Sequence, residues 1–119
     1  MNQLKSKNTK YEEELKSIVI SFYESYYNGE RLQLYSYLDT AFQREVPLNY
    51  FLIHSDYYMD LGKLIQINSV DIQRENKIAL IEGVIEVGKK RKEVVFVLKS
   101  DYGGWKLAGD VIFHREFAR

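Results

Sequence analysis

The chain has 119 residues, 17 basic and 17 acidic side chains, and no cysteine. This length suits one domain. Zero net charge removes the usual electrostatic basis for binding nucleic acid or an anionic membrane, and the lack of cysteine excludes disulfides and thiolate zinc sites. No apolar run approaches the roughly 20 residues of a membrane helix, and residues 1–10 lack the apolar core of a signal peptide. We therefore expect a cytoplasmic protein with no membrane segment, or an extracytoplasmic one if an anchor has been removed.

An amphipathic helix is the first predicted element. Thr9 and Glu12 have the spacing of a capping box, and Asn28-Gly29 is a typical helix stop. Apolar residues recur between them at helical spacing: Tyr11, Leu15, Ile18, Val19, Phe22, Tyr23 and Tyr26. The polar residues 1–9 lack this pattern. We predict a flexible N-terminal tail over residues 1–9 and a single domain over residues 10–119.

Two shorter helices are predicted next. One spans residues 30–38 and is interrupted by Asp39-Thr40, after which AFQREV predicts one or two further turns. Pro47 marks the start of another helix, which Leu61-Gly62 ends. The segment YFLI at 50–53 is also compatible with an extended conformation.

After Gly62 the apolar pattern changes to the period of two that is typical of strands. We predict four strands, at about 63–74, 77–87, 93–100 and 105–116. Their short connections, at 75–76, 88–92 and 101–104, indicate antiparallel hairpins. Helices followed by an antiparallel meander predict an α+β fold with the N-terminal helices packed on one face of the sheet.

The predicted sheet has apolar residues on both faces. One face of the second strand carries Ala79, Ile81, Gly83, Ile85 and Val87; the other carries Ile78, Leu80, Glu82, Val84 and Glu86. The third strand is apolar on both faces over VVFVL at 94–98. Since helices cover only one face, the outer face needs another partner, and a two-fold homodimer through that face is the simplest one.

The segments FYESYYNGERLQLYSYL at 22–38 and GGWKL at 103–107 resemble the NTF2-like superfamily, also called the cystatin-like fold. The resemblance covers roughly residues 9–116 and implies helices on a curved four-stranded sheet that together enclose a cone-shaped pocket. The superfamily includes isomerases, dehydratases, polyketide cyclases, transport factors and small bacterial proteins without catalytic activity. The tyrosine-rich first helix and PLNYF are also similar to soluble domains of bacterial conjugation-channel proteins and to small NTF2-like lipoproteins.

The ten tyrosines suggest a half-buried aromatic environment. Within the implied cone, a set of aromatic side chains either lines a ligand pocket or fills the space: Tyr23, Tyr26, Tyr27, Tyr50, Tyr58 and Trp105.

Three polar residues are candidates for a polar site or an interface. Asp110 and His114 lie on one face of the predicted last strand, about 13 Å apart, too far for a direct hydrogen bond. Glu82 is a candidate general base if its face lines a pocket, but it more readily points away from the helices. His54 lacks companion ligands, and no metal or other cofactor is predicted.

Three hypotheses of function follow. The first is a non-catalytic NTF2-like binding module, homodimeric through the outer face of the sheet, whose partner is a protein or a small apolar ligand. The alternative is a small acid–base enzyme, of isomerase or dehydratase type, that uses a carboxylate and tyrosines in the cone. The soluble domain of an anchored extracytoplasmic protein is a third hypothesis.

Overall fold

The α+β order is confirmed: helices come first and a four-stranded antiparallel sheet follows. The structure is a computed structural model that describes residues 2–101 and 104–118, with side chains from residue 10 onward. The helices are α1 (Asn2–Asn28), α2 (Arg31–Ser36), α3 (Thr40–Glu45), α4 (Leu48–Ile53) and α5 (Gly109–Ile112). The strands are β1 (Lys63–Gln73), β2 (Ile78–Val87), β3 (Lys90–Asp101) and β4 (Gly104–Leu107), and short 3₁₀ turns span Ser55–Tyr58 and Arg74–Asn76.

Helix α1 has the predicted buried stripe but not the predicted start. Leu15, Val19, Phe22 and Tyr23 are buried, and the helix ends at Asn28, before Gly29 in a left-handed conformation. The helix begins at Asn2, so the predicted start at Thr9 is wrong. Residues 2–9 contain neither glycine nor proline, and nothing in their local chemistry stops the helix. The flexibility of residues 1–9 stays a prediction.

The helix predicted over residues 30–38 is shorter because its end joins the sheet. Tyr37 still has a helical conformation, and Leu38 then forms a parallel bridge with Leu107 of β4. There the Leu107 N–H donates to the Tyr37 carbonyl and the Asp39 N–H donates to the Leu107 carbonyl (2.8 and 2.9 Å). This short segment covers the edge of β4, which would otherwise expose unpaired backbone groups. Asp39 then caps α3, the helix predicted from AFQREV.

The helix predicted from Pro47 to Leu61 is interrupted. Helix α4 ends at Ile53, since His54 has an extended conformation and its Nδ1 accepts a hydrogen bond from the Asp56 N–H (3.2 Å). A 3₁₀ turn follows over Ser55–Tyr58. The segment at 50–53 is therefore helical, and the helical period predicted beyond residue 54 is only partly realised.

The sheet is the predicted meander, in the order β1-β2-β3-β4 with antiparallel neighbours. Two positive-φ residues make its first two hairpins, Lys77 at 56° and Gly88 at 64°. Strand β3 begins at Lys90 rather than residue 93, so most of the basic run predicted as a turn lies in the strand. Edge strand β1 contains two register shifts, a feature that hinders pairing with other edges.

The prediction of a last strand over residues 105–116 is wrong beyond Leu107. The chain bends at Ala108, whose N–H donates to the Val97 carbonyl (2.8 Å), and then forms α5. Gly109 makes this bend possible because a Cβ there would lie 2.4 Å from the Phe42 ring. The alternating sequence pattern does not reveal this contact, which joins segments nearly 70 residues apart.

The core lies between the inner face of the sheet and the helices. Ala79, Ile81 and Ile85 of β2 are fully buried there, and Phe96 of β3 contacts the ring of Phe117, with centroids 5.7 Å apart. The C-terminal segment thus contributes to the same cluster as the helices. Over residues 2–101 and 104–118, no helix is both long and apolar enough to span a membrane.

Candidate functional site

Three tyrosines of α1 bind the backbone that joins the helices to the sheet. The Tyr23 hydroxyl donates to the Leu61 carbonyl (2.9 Å), and the Leu61 N–H donates to the Tyr26 hydroxyl (3.0 Å). The Tyr27 hydroxyl accepts from the Leu64 N–H (2.8 Å). We call Tyr23, Tyr26 and Tyr27 the tyrosine clamp. Their spacing of three and one residues places all three hydroxyls at one end of α1.

Burial and neighbouring charges alter the ionisation of the clamp. Burial raises the pKa of Tyr23 far above its usual value, and the neighbouring Tyr27 adds to the shift. Burial also raises the pKa of Tyr26, and the negative charge of the nearby Asp60 raises it further. The Tyr26 hydroxyl donates to Asp60 (3.3 Å). These hydroxyls remain protonated and serve as hydrogen-bonding groups for residues 60–64.

The other predicted pocket aromatics lie apart from the clamp. Tyr50 is exposed and stacks on His54 with ring centroids 4.7 Å apart. Tyr58 is exposed, and its hydroxyl donates to the Leu52 carbonyl. Trp105 lines a cavity of about 250 Å³ that it shares with Tyr11 and other residues. The structure therefore does not bring the six predicted aromatics together, and Tyr23 packs inside the core.

A surface groove of about 820 Å³ lies between the 55–60 segment and the C-terminal segment. The apolar part of the groove is lined by Tyr57, Met59, Val87 and Phe113. Its polar groups come from both segments: Ser55, Asp56 and Asp60 from the first, and His114 and Arg115 from the second. The volume is within the range of small-molecule sites. A mixed set of carboxylates, an imidazole and a guanidinium suits a ligand with both charged and apolar parts.

The two predicted polar residues near the C-terminus occupy separate positions. Asp110 is exposed in α5, and His114 follows that helix in the groove. The prediction that they share a strand face is wrong because β4 ends at Leu107. The His114 Nδ1 accepts from the Glu116 N–H (3.2 Å), so the neutral imidazole carries its proton on Nε2. Within the described residues, no three His, Cys, Asp or Glu side chains form a metal-binding group.

The sequence did not identify Arg31 as a site residue, although Arg31 binds the backbone of Tyr57, which lines this groove. Its guanidinium lies 4.5 Å from the Phe51 ring centre and 4.0 Å from that of Tyr58, and Nη2 donates to the Tyr57 carbonyl (2.6 Å). Its Nε is buried without a hydrogen-bond partner. The only sequence signal was an arginine at the edge of an otherwise apolar helix face.

Glu82 lies on the outer face of the sheet, as its strand position favours. It is exposed, and its cross-strand neighbours are Val95 of β3 and Ser69 of β1. Around it are the apolar pair Leu80 and Val97 and the pair Val84 and Glu93. Val95 is 44% exposed. The outer face therefore combines the aliphatic side chains of Leu80, Val84, Val95 and Val97 with the carboxylates of Glu82, Glu93 and Asp71, of which Asp71 is the partner of Leu80.

Comparisons with protein-family models, with curated proteins and with solved structures found no match to this chain.

Proposed function

We propose that this protein is a non-catalytic binding module that acts as a two-fold homodimer through the outer face of its sheet. The observation that carries the proposal is the apolar centre of that face, where Val95 is 44% exposed beside the cross-strand pair Leu80–Val97. Burying such a patch is favourable by about 25 cal/mol for each Å² removed from water.

The pairing of the strands makes this face suitable for two-fold association. Leu80, Val84, Val95 and Val97 lie on the two central strands, β2 and β3, rather than at a sheet edge. Face-to-face sheets pack about 10 Å apart through such side chains. Charged residues flank the centre, including the Glu86–Arg91 pair, whose Oε2 and Nε atoms are 3.7 Å apart. An apolar centre with a charged rim is the common composition of protein interfaces.

The NTF2-like resemblance supports the same interpretation. Helices packed on one face of an antiparallel meander are the arrangement that the resemblance implies. The space between helices and sheet holds large side chains, including Tyr23, Phe51 and Phe96, each at most 1% exposed. Glu82, the carboxylate considered as a general base, is on the opposite face. Both observations favour binding over acid–base chemistry inside a cone.

The proposal is tested by sedimentation equilibrium of the wild type and two lysine variants. Val95→Lys places a charge in the apolar centre and is expected to give a monomer. Ile20→Lys is the matched control, since Ile20 is 43% exposed on α1, and it should retain the dimer. A monomeric wild type, or equal effects of the two substitutions, would contradict the proposal.

The surface groove supports a second candidate function, binding of a small charged ligand. Its polar groups include Asp60 and His114, and Tyr57 is one of its aromatic lining residues. Burial and the nearby Tyr50, Asp56 and Glu45 raise the pKa of Tyr57. Native mass spectrometry of freshly purified protein would show a retained small molecule. Retention in wild type and its loss in Arg115→Gln would favour this candidate.

A further inference from the structure

Among the side chains that the structure describes, the most exposed apolar ones lie on the helices rather than on the sheet. Ile53 is 81% exposed, Leu32 is 63% exposed and Tyr58 is 53% exposed. With Tyr50, these residues belong to α2, α4 and the turn after α4, and we call the four the helical patch. Exposed apolar surface of this kind marks an interaction site more reliably than isolated apolar residues do.

The helical patch is held in place by contacts beneath it. The Arg31 guanidinium, next to Leu32 in the chain, lies 4.0 Å from the centre of the Tyr58 ring. The Tyr58 hydroxyl donates to the carbonyl of Leu52, the neighbour of Ile53. Helices α2 and α4 are also in contact. Tyr58 is thus held by Arg31 and Leu52, the chain neighbours of Leu32 and Ile53, on two helices that lie against each other. A surface whose backbone is fixed in this way loses less entropy when it binds a partner.

The chain around the helical patch is acidic. Residues 24–60 contain six acidic and two basic residues. Of the six, Asp39 is buried beside Lys99, so five carboxylates remain for the surface, and Lys106 donates to the Ser36 carbonyl at the end of α2. One of the two arginines is Arg31, which is occupied by its ring and backbone contacts. Glu30, Asp56 and Asp60 are exposed. A surface with an apolar centre and an acidic surround favours a partner with apolar and basic side chains.

We propose that the helical patch docks an amphipathic basic segment of a partner protein, with apolar side chains on Ile53, Leu32 and Tyr58 and lysines or arginines facing the surrounding carboxylates. This surface is separate from the outer face of the sheet. A homodimer formed through the sheet would present two such patches. The protein would then join two copies of its partner, and its avidity would exceed the affinity of either site.

A pair of synthetic helices tests the proposal. The probe is a peptide of about 15 residues, some four helical turns, with leucines on one face and lysines on the other. The control peptide replaces each lysine by glutamate. We expect the full chain to bind the lysine peptide, measured by fluorescence anisotropy, and to lose affinity as salt shortens the Debye length. Absence of binding, or equal binding of the glutamate peptide, would overturn the proposal.

Two variants locate the binding. Ile53→Ser should lower the affinity for the lysine peptide about tenfold, which is the effect of losing a central interface contact. Val95→Ser, on the outer face of the sheet, should leave the affinity unchanged. Because Ile53 is exposed, the variant should keep the wild-type thermal unfolding midpoint, which circular dichroism checks. Equal affinity of Ile53→Ser and wild type would overturn the assignment, as would a change in oligomeric state caused by Ile53→Ser without peptide.

Discussion

The Tyr23 hydroxyl donates a hydrogen bond to the Leu61 carbonyl across 2.9 Å, and both residues are at most 1% exposed. The bond joins the C-terminal part of the long N-terminal helix to the segment that leads into the sheet. With Tyr26 and Tyr27 it completes the tyrosine clamp around residues 60–64. A feature that the sequence suggested for a ligand pocket is thus used to connect the two halves of the domain.

Removal of that hydroxyl should destabilise the protein. Tyr23→Phe keeps the ring but leaves the buried Leu61 carbonyl without this donor, which costs about 1–3 kcal/mol in the free energy of unfolding. Urea denaturation measures the loss. Tyr50→Phe is the matched control, because Tyr50 is 44% exposed, and its unfolding free energy should change by less than about 0.5 kcal/mol. Equal losses in the two variants would show that the hydrogen bond does not matter.

The tyrosine clamp also predicts alkaline instability. Burial raises the pKa of Tyr23 in the folded state, whereas an unfolded tyrosine ionises near pH 10. The unfolded state therefore loses this proton first, so stability is complete below about pH 10 and falls above it. Urea midpoints at several pH values from neutral to alkaline test this expectation. Tyr23→Phe should show a shallower fall above about pH 10, and a parallel decline in both proteins would contradict the account.

Asp39 is expected to be essential for the C-terminal bend. It is 2% exposed, its Oδ1 accepts from the Gly109 N–H (3.0 Å), and its Oδ2 is 3.5 Å from the Lys99 ammonium. Asp39→Ala leaves a buried donor unpaired and removes the cap of α3, a loss of about 2–4 kcal/mol. Thermal unfolding measures it. Asp110→Ala, an exposed carboxylate next to Gly109, is the control and should have a far smaller effect.

The features that were predicted best from the sequence are those determined by residues close together in the chain. The antiparallel strand order was correct because short connections act locally, although the connection predicted at 88–92 was too long. The buried face of β2 was correct because alternation determines it. The last strand was wrong because its end depends on Phe42 and Asp39, which are distant in the chain. The partners of Tyr23 and Arg31 were missed for the same reason, since Leu61 and Tyr57 lie 38 and 26 residues away.

Glu82 distinguishes the dimer from the enzyme hypothesis. It lies beside Val95 at the centre of the outer face. In the proposed dimer, a two-fold axis at this centre would bring two like charges close together. Glu82→Gln removes that repulsion and should tighten the dimer several-fold, as sedimentation equilibrium would show. Glu93→Gln, two cross-strand pairs further along, should have a smaller effect. A weaker dimer in Glu82→Gln would contradict this arrangement.

The central claim is that two copies meet through the outer face, and intermolecular nuclear Overhauser effects test it most directly. A sample that mixes ¹³C-labelled and unlabelled chains reports only contacts between copies. We predict intermolecular signals among the methyl groups of Leu80, Val84, Val95 and Val97. Signals that instead join methyl groups of Leu32 or Ile53 between copies would contradict the account, as would a dimer with no signals from the outer face.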